Sequence, residues 1–136
     1  MIDLKIINLA ANTKNYGLKK NSTHYASCKN KICGDEIKIE INSNGTKIKE
    51  MRYETESCVF CQASASILSR IVESIPIKNL KTETIKIYDS FDNESFVLPK
   101  KYSSFKPLIN KKNKNRLECI MLPFNAILKA LKIWEK

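Results

Sequence analysis

Apolar and polar residues alternate along two short segments in the first half of the chain. Isoleucine alternates with charged residues over 37–41, and residues 47–54 alternate again after the turn-forming NSNG at 42–45. A period of two on both sides of a short turn that contains glycine predicts an antiparallel β-hairpin. Because the outer ends of a hairpin are neighbours, Cys33 before it and Cys58 after it are predicted to lie close together.

Three other segments follow the 3.6-residue period of an amphipathic helix. Residues 4–11 predict a short helix that stops by Gly17, and an apolar stripe over 67–75 predicts a second helix that Pro76 ends. Pro123 predicts the start of a closing helix, whose apolar stripe comprises Phe124, Ile127, Leu128, Leu131 and Trp134. The hairpin is therefore flanked by helices.

The remaining segments carry weaker patterns. Residues 18–31 are polar, contain the single histidine, His24, and predict an irregular segment or an edge strand. Residues 80–91 predict a helix, although 82–88 are equally compatible with a strand. The stretch 110–115, rich in lysine and asparagine, predicts an exposed, flexible basic loop.

Length and composition are those of a globular protein. The chain has 136 residues, of which 43% are apolar and 28% are charged, so residues 1–136 are predicted to fold as one domain. With the patterns above, this predicts an α+β fold in which a small antiparallel β-sheet is packed by helices. The N-terminal apolar run is too short for a signal peptide and no stretch could span a bilayer, which predicts a cytoplasmic protein with no membrane partner.

The net charge of +10 raises the question of a nucleic-acid partner. Of the 24 basic residues, 21 are lysine and 3 are arginine. Arginine is the residue that contacts bases and phosphates through paired hydrogen bonds, so its scarcity argues against a specific nucleic-acid partner. The lysines are predicted to form a solvated surface.

Five cysteines supply the candidate chemistry. In a reducing compartment they suit metal ligands, nucleophiles or buried small residues better than disulfides. Cys33, Cys58 and Cys119 would provide three thiolates and Asp35 a carboxylate, a four-ligand site for zinc, iron or an iron–sulfur cluster. Gly34 is expected to permit close backbone approach there. Cys58 lies just ahead of a predicted helix, where the helix dipole favours thiolate.

The same residues lie in motifs with a fixed order and spacing. These are NKICGD at 30–35, Cys58 followed by ASAS at 63–66, and Cys119 ahead of the terminal helix. In this order they resemble the scaffold proteins of iron–sulfur cluster assembly, the family that comprises the NifU N-terminal domain, IscU and SufU. The resemblance covers residues 28–134 and implies a SufE/NifU-like fold.

Departures from the family's pattern indicate one branch. The IscU and NifU branches carry His immediately before the last cysteine, where this chain has Glu118, and Ser57 and Lys31 replace the usual Gly and Pro. The SufU branch lacks that His and has an arginine three residues ahead of the last cysteine, as Arg116 is here. The 60 residues between the second and last motif cysteines also suit the longer SufU spacing. SufU is therefore the closer branch.

The resemblance implies two functions for one ligand set. As a scaffold, the chain would hold iron and a nascent [2Fe–2S] cluster through Cys33, Asp35, Cys58 and Cys119. It would receive sulfur from a cysteine desulfurase and pass the cluster to apo target or carrier proteins. The alternative is a Zn²⁺-bound sulfur acceptor, in which Cys119 takes persulfide sulfur and Arg116 stabilises its thiolate. The first function is non-enzymatic and the second is a sulfurtransferase activity.

The other candidate ligands have plainer interpretations. Cys28 is predicted to be a small buried residue, and His24 a surface residue. Cys61 forms Cys-x-x-Cys with Cys58, which is typical of a redox pair or zinc knuckle. Inside a helix it would face another side of the first turn, so it is predicted to be a packing residue or an auxiliary thiol. A third alternative joins Cys28 and Cys33 to this motif in a zinc-ribbon-like nucleic-acid-binding module, which leaves the last cysteine unused.

Overall fold

The computed structural model describes residues 4–92 and 97–132, and this part of the chain contains a three-stranded antiparallel sheet. Strand β1 covers His24–Lys29, β2 covers Glu36–Ser43 and β3 covers Ile48–Glu56, in the spatial order β1-β2-β3. The predicted hairpin is confirmed as β2 and β3. The polar segment before it contributes β1 as an edge strand, one of its two predicted structures.

Helices cover the sheet and complete the α+β architecture that the sequence predicted. The α-helices described are α1 at Leu4–Ala11, α2 at Val59–Ile71, α3 at Ile77–Ser90 and α4 at Leu117–Ala130. Shorter 3₁₀ segments cover Val72–Ser74, Lys100–Phe105 and Lys111–Arg116. Helices α2 and α4 pack on the sheet and on each other, α1 packs on α2, and α3 packs on α4. None of these helices combines the length and the apolar composition that crossing a bilayer requires.

The core lies between the sheet and the helices packed on it. The inward-facing residues of β2, Ile37, Ile39 and Ile41, are fully buried. Aromatic side chains from the C-terminal half extend this core, with the ring centroids of Phe105 and Phe124 5.3 Å apart. This contact joins the segment that precedes α4 to α4 itself.

Small residues early in α2 allow it to approach α4 closely. Ala63 and Ala65 are fully buried, and the Ser64 hydroxyl donates a 2.6 Å hydrogen bond to the carbonyl oxygen of Ile120. A buried hydroxyl with a partner avoids the cost of desolvating an unpaired polar group. The bond joins α2 to the first turns of α4, one residue after Cys119, and so helps to position that cysteine.

The alternative of a strand over 82–88 is wrong, because this stretch lies inside α3. Leu80, Thr84 and Ile87 are buried at the spacing of successive helical turns. Threonine and isoleucine favour strands locally, but burial of one helical face outweighs that propensity here.

The predicted start of the terminal helix at Pro123 is also wrong. Helix α4 begins at Leu117, so Cys119 lies in its first turn and Pro123 lies in its interior. Proline has no N–H to donate to the carbonyl of Cys119. Complete burial of Ile120 and Met121 nevertheless keeps this turn helical. Trp134, the last residue of the predicted stripe, lies outside the described residues.

The stretch 110–115, predicted as a flexible loop, is largely a 3₁₀ segment. Its lysines are exposed, as expected for a solvated basic segment, but Asn113 is buried. The Asn113 side-chain amide donates to the carbonyl oxygens of Pro107 at 3.1 Å and Leu108 at 2.9 Å. Because this asparagine pairs with two backbone carbonyls, it orders the segment that leads into α4.

Candidate metal centre

A tight loop between β1 and β2 presents Cys33. The Asn30 N–H donates to the Asp35 carbonyl at 2.8 Å, and the Gly34 N–H donates to the Asn30 carbonyl at 2.7 Å. Gly34 has a φ of 81°, a left-handed conformation that favours glycine. A side chain at this position would meet open space, because a Cβ built on Gly34 has no atom of the described residues within 4 Å. The expectation of close backbone approach to a bound group stays a prediction, and the positive φ shows that glycine serves the turn itself.

Two thiols and a carboxylate meet at this end of the sheet. The Sγ atoms of Cys33 and Cys119 are 3.6 Å apart. These two atoms and a carboxylate oxygen of Asp35 all lie within 4.8 Å of one another. Cys33 is exposed on its loop, whereas Asp35 and Cys119 are buried. One member of the group is therefore open to solvent and two are enclosed by protein.

Asp35 is a buried carboxylate with one oxygen used and one unused. Its Oδ1 accepts a 3.1 Å hydrogen bond from the Cys58 N–H, at the N-terminus of α2. Its Oδ2 is buried and has no hydrogen-bond partner among the described residues. A buried carboxylate oxygen without a partner is costly, and a bound cation is one of the few groups that relieves this cost. The oxygen adjoins the two thiols, so the residues fit a metal ion.

Cys58 lies beside this group, but its thiol is not among the atoms that all lie within 4.8 Å of one another. It is the N-cap residue of α2, as its predicted position ahead of a helix requires, and it is half-buried. The Cys58 thiol is near enough to Cys119 to influence its ionisation. Three of the four predicted ligands therefore converge, and the fourth flanks them.

Burial raises the pKa of the Cys119 thiol, and Asp35, Cys33 and Cys58 raise it further. Cys119 occupies the first turn of α4, where the helix dipole favours the thiolate. Desolvation outweighs the dipole, because the thiolate would lie out of water and next to acidic groups. The thiol is therefore protonated near neutral pH, and a metal ion must displace its proton to bind.

Arg116 is the N-cap residue of α4 and is exposed. Its guanidinium carbon lies 5.5 Å from the centroid of the Phe60 ring, a cation–π contact with the first turn of α2. The predicted role of Arg116 in stabilising the Cys119 thiolate stays a prediction.

The remaining candidates lie outside this group in the described parts of the chain. Cys28 is half-buried against the core, and burial raises its pKa while Lys129 opposes the rise. Cys61 is fully buried, and burial raises its pKa to about 12. His24 is only partly exposed, and its Nδ1 lies 2.9 Å from the Thr23 hydroxyl.

One contact beside the site was missed by sequence reasoning. The Tyr88 hydroxyl donates a 2.8 Å hydrogen bond to Glu118 Oε2, which ties α3 to the residue before Cys119. Both side chains are exposed. Nothing in the local pattern of α3 indicates this partner, because 30 residues separate the two positions.

The fold is an α+β domain, and one end of its small sheet carries a candidate metal site of two thiols and a carboxylate. The chain belongs to the family described as the NifU-like N-terminal domain, whose model matches residues 2–136. This confirms the resemblance drawn from the cysteine motifs.

Individual proteins agree with the family assignment. The chain is 27% identical over 99 residues to the iron–sulfur cluster assembly scaffold protein IscU of Aquifex aeolicus (strain VF5), a match that covers 71% of this chain and 62% of that protein. A crystal structure of the NifU-like protein (N-terminal) of Brucella abortus superposes with a TM-score of 0.80 at 20% identity, covering 98% of this chain and 93% of the other. A candidate scaffold for the SUF system from Fervidobacterium islandicum AW-1 gives 0.78 at 22% identity, covering 96% of each chain.

Proposed function

We propose that the protein is an iron–sulfur cluster assembly scaffold that binds iron and a nascent [2Fe–2S] cluster through Cys33, Asp35, Cys58 and Cys119. The observation that carries this proposal is the buried, unpartnered Oδ2 of Asp35 beside two thiols. Family membership and the name of the Aquifex relative support the same function. Thiolates are the usual protein ligands of iron–sulfur clusters, and this set supplies three of them.

The four side chains have different tasks in this proposal. The thiolates supply firm, soft ligands, whereas the Asp35 carboxylate is a harder and weaker ligand for cluster iron. A cluster with one weak ligand is easier to release, and a scaffold must release its product. Cys33 is exposed on its loop, which gives an acceptor protein access from that side.

The partners that the proposal requires are a cysteine desulfurase as sulfur donor and apo target or carrier proteins as acceptors. Ile32, immediately before Cys33, is 92% exposed. Its side chain is therefore accessible to an acceptor protein that approaches Cys33.

A second candidate function is that of a zinc-bound sulfur acceptor for the desulfurase. Three thiolates and a carboxylate also suit tetrahedral Zn²⁺. Glu118 favours this function, because it stands where the IscU and NifU branches carry His, and absence of that His is a feature of the SufU branch. Its side chain is hydrogen-bonded to that of Tyr88. In this function Cys119 would take the persulfide sulfur, with Arg116 stabilising its thiolate.

Anaerobic reconstitution distinguishes the two functions. We expect protein given ferrous iron and inorganic sulfide to gain visible absorption and acid-labile sulfide, and we expect Cys28→Ser, a matched change outside the site, to do the same. Stoichiometric zinc that resists this treatment would favour the sulfur acceptor. Metal analysis and absorption spectra of the same samples provide the readout.

Replacement of Asp35 by asparagine is expected to change stability and binding in opposite directions. Asparagine keeps an oxygen for the Cys58 N–H and replaces the unpartnered carboxylate oxygen by an uncharged NH2 group, which can donate to the neighbouring sulfur atoms. The metal-free protein should therefore gain about 1 kcal/mol of unfolding free energy. Affinity for iron or zinc should fall roughly tenfold or more, because a charged ligand is lost.

Urea denaturation of metal-free protein and metal titration measure these two effects. Asp89→Asn, an exposed carboxylate on α3, is the matched control and should change neither. A less stable Asp35→Asn protein with unchanged affinity would contradict the assignment of Asp35 as a ligand.

A further inference from the structure

Two cysteines occupy paired positions at the start of α2. Helix α2 begins at Val59, so Cys58 is the N-cap residue and Cys61 is the third residue of the helix. Side chains at these two positions are neighbours, which is why they can form the reciprocal bonds of a capping box. In the described chain the Cys58 side chain makes no capping hydrogen bond, so its thiol is not engaged with the helix. The prediction that Cys61 faces another side of the first turn did not take this N-cap geometry into account.

The two thiols differ in their access to solvent. Cys58 is half-buried next to the candidate site, whereas Cys61 has no exposed surface. The Cys61 Sγ lies 4.0 Å from the Thr55 hydroxyl, which in turn is 2.8 Å from that of Ser57. A donor from outside the protein can therefore reach Cys58, while Cys61 is shielded from it. In such a pair the accessible thiol can react with an external donor first, and the shielded thiol can then react only with the group that the accessible thiol carries.

We propose that Cys61 is a resolving thiol that releases sulfide from a persulfide on Cys58. The inference rests on the proposed function, because a desulfurase delivers sulfur at the oxidation level of sulfane sulfur and a cluster contains sulfide. Two electrons are needed for each sulfur atom. The Cys58–Cys61 pair supplies them.

The step balances in atoms and electrons. The Cys61 sulfur attacks the inner sulfur of the Cys58 persulfide, the new Cys58–Cys61 disulfide bond forms, and the bond to the outer sulfur breaks. The outer sulfur leaves with the bonding pair and takes up the Cys61 proton as hydrogen sulfide. Both cysteines are oxidised by one electron and the sulfane sulfur is reduced by two. A protein or small-molecule dithiol then reduces the disulfide and returns Cys58 to the site.

The other close pair of thiols is less suited to this step. Cys33 and Cys119 are 3.6 Å apart, but both are ligands in the proposed function. A disulfide between them would remove two ligands at the moment when sulfide is released. Oxidation of Cys58 with Cys61 removes one ligand and leaves Cys33, Asp35 and Cys119 facing the released sulfide.

The test uses reduced protein loaded anaerobically with glutathione persulfide and then freed of excess reagent. Trypsin releases residues 53–70 as one peptide, which contains Cys58 and Cys61 and no other cysteine. We expect this peptide to lose two hydrogens and to resist alkylation, with one sulfide released for each peptide oxidised. Mass spectrometry and a colorimetric sulfide assay measure the two products.

Cys61→Ala is expected to retain the persulfide and to release sulfide at least about tenfold more slowly, since an intramolecular thiol is lost. Cys61→Ser guards against a packing defect specific to alanine, and Cys28→Ser should match the unsubstituted protein. Sulfide release that is equally fast without Cys61, or a disulfide that links Cys33 with Cys119 instead, would overturn the inference. Reconstitution of unsubstituted protein with free inorganic sulfide tests the proposed function separately, because it needs no resolving thiol.

Discussion

Replacement of Cys119 by serine is expected to abolish retention of iron–sulfur cargo, with metal affinity lowered by at least about a hundredfold. The Cys119 sulfur is 3.6 Å from that of Cys33 and shares the enclosed side of the site with Asp35. A serine hydroxyl does not ionise near neutral pH and is a poor ligand for iron or zinc. The loss should therefore exceed that of Asp35→Asn, where all three thiolates remain.

Anaerobic reconstitution followed by gel filtration and metal analysis provides the measurement. Cys119 is buried, so circular dichroism and urea denaturation must show that the variant folds, and Cys119→Ala serves as a second variant for this purpose. Cys28→Ser, at a half-buried cysteine outside the site, is the matched control and should retain its cargo. A folded Cys119→Ser protein that keeps a full complement of iron and labile sulfide would refute the proposed ligand set.

Alkaline pH is expected to destabilise the metal-free protein steeply between pH 9 and 12. The pKa of Cys61 is raised by burial from 9.0 to about 12. The unfolded state therefore loses this proton near pH 9, while the folded state keeps it, and unfolding becomes more favourable as pH rises. A shift from 9.0 to about 12 corresponds to a loss on the order of 4 kcal/mol once the folded pKa is passed. The raised pKa of Cys119 acts in the same direction.

Urea denaturation at about pH 8 and about pH 11 measures the change in unfolding free energy. Cys61→Ala lacks the titrating group, so its stability should fall less over the same interval. Ile67→Val, a change to a fully buried side chain of α2 that does not titrate, is the control and should leave the slope as it is. Equal slopes for unsubstituted protein and Cys61→Ala would contradict the assignment of this pH dependence to Cys61.

The local sequence pattern was sufficient to predict those elements whose own residues show a clear hydrophobic period. The alternating residues of 37–41 and 47–54 predicted β2 and β3, because a period of two places one set of side chains on the buried face. The apolar stripe over 67–75 also indicated a helix, although α2 ends at Ile71 and a 3₁₀ segment at Val72–Ser74 follows it. Motif order also indicated the family, and this needed no knowledge of the contacts between elements.

Long-range packing was needed where local pattern allowed two structures. Residues 82–88 are compatible with a strand or a helix, and burial of Leu80, Thr84 and Ile87 on one face selected the helix. The start of α4 at Leu117 depends on contacts with α2 and the sheet, which sequence periodicity does not contain. Pro123 therefore misled the prediction, because proline tends to begin helices but is tolerated inside one that is well packed.

For the candidate site, the sequence identified the ligand types, and the tertiary structure decided how they are arranged in space. Residue types and motif spacing identified Cys33, Asp35, Cys58 and Cys119 as candidate ligands, since thiolates and carboxylates are what iron and zinc bind. The meeting of Cys33 with Cys119, the unpartnered Oδ2 of Asp35 and the offset of Cys58 arise only when α4 packs against the sheet. Distances between distant segments depend on that packing, and no local pattern in the chain encodes them.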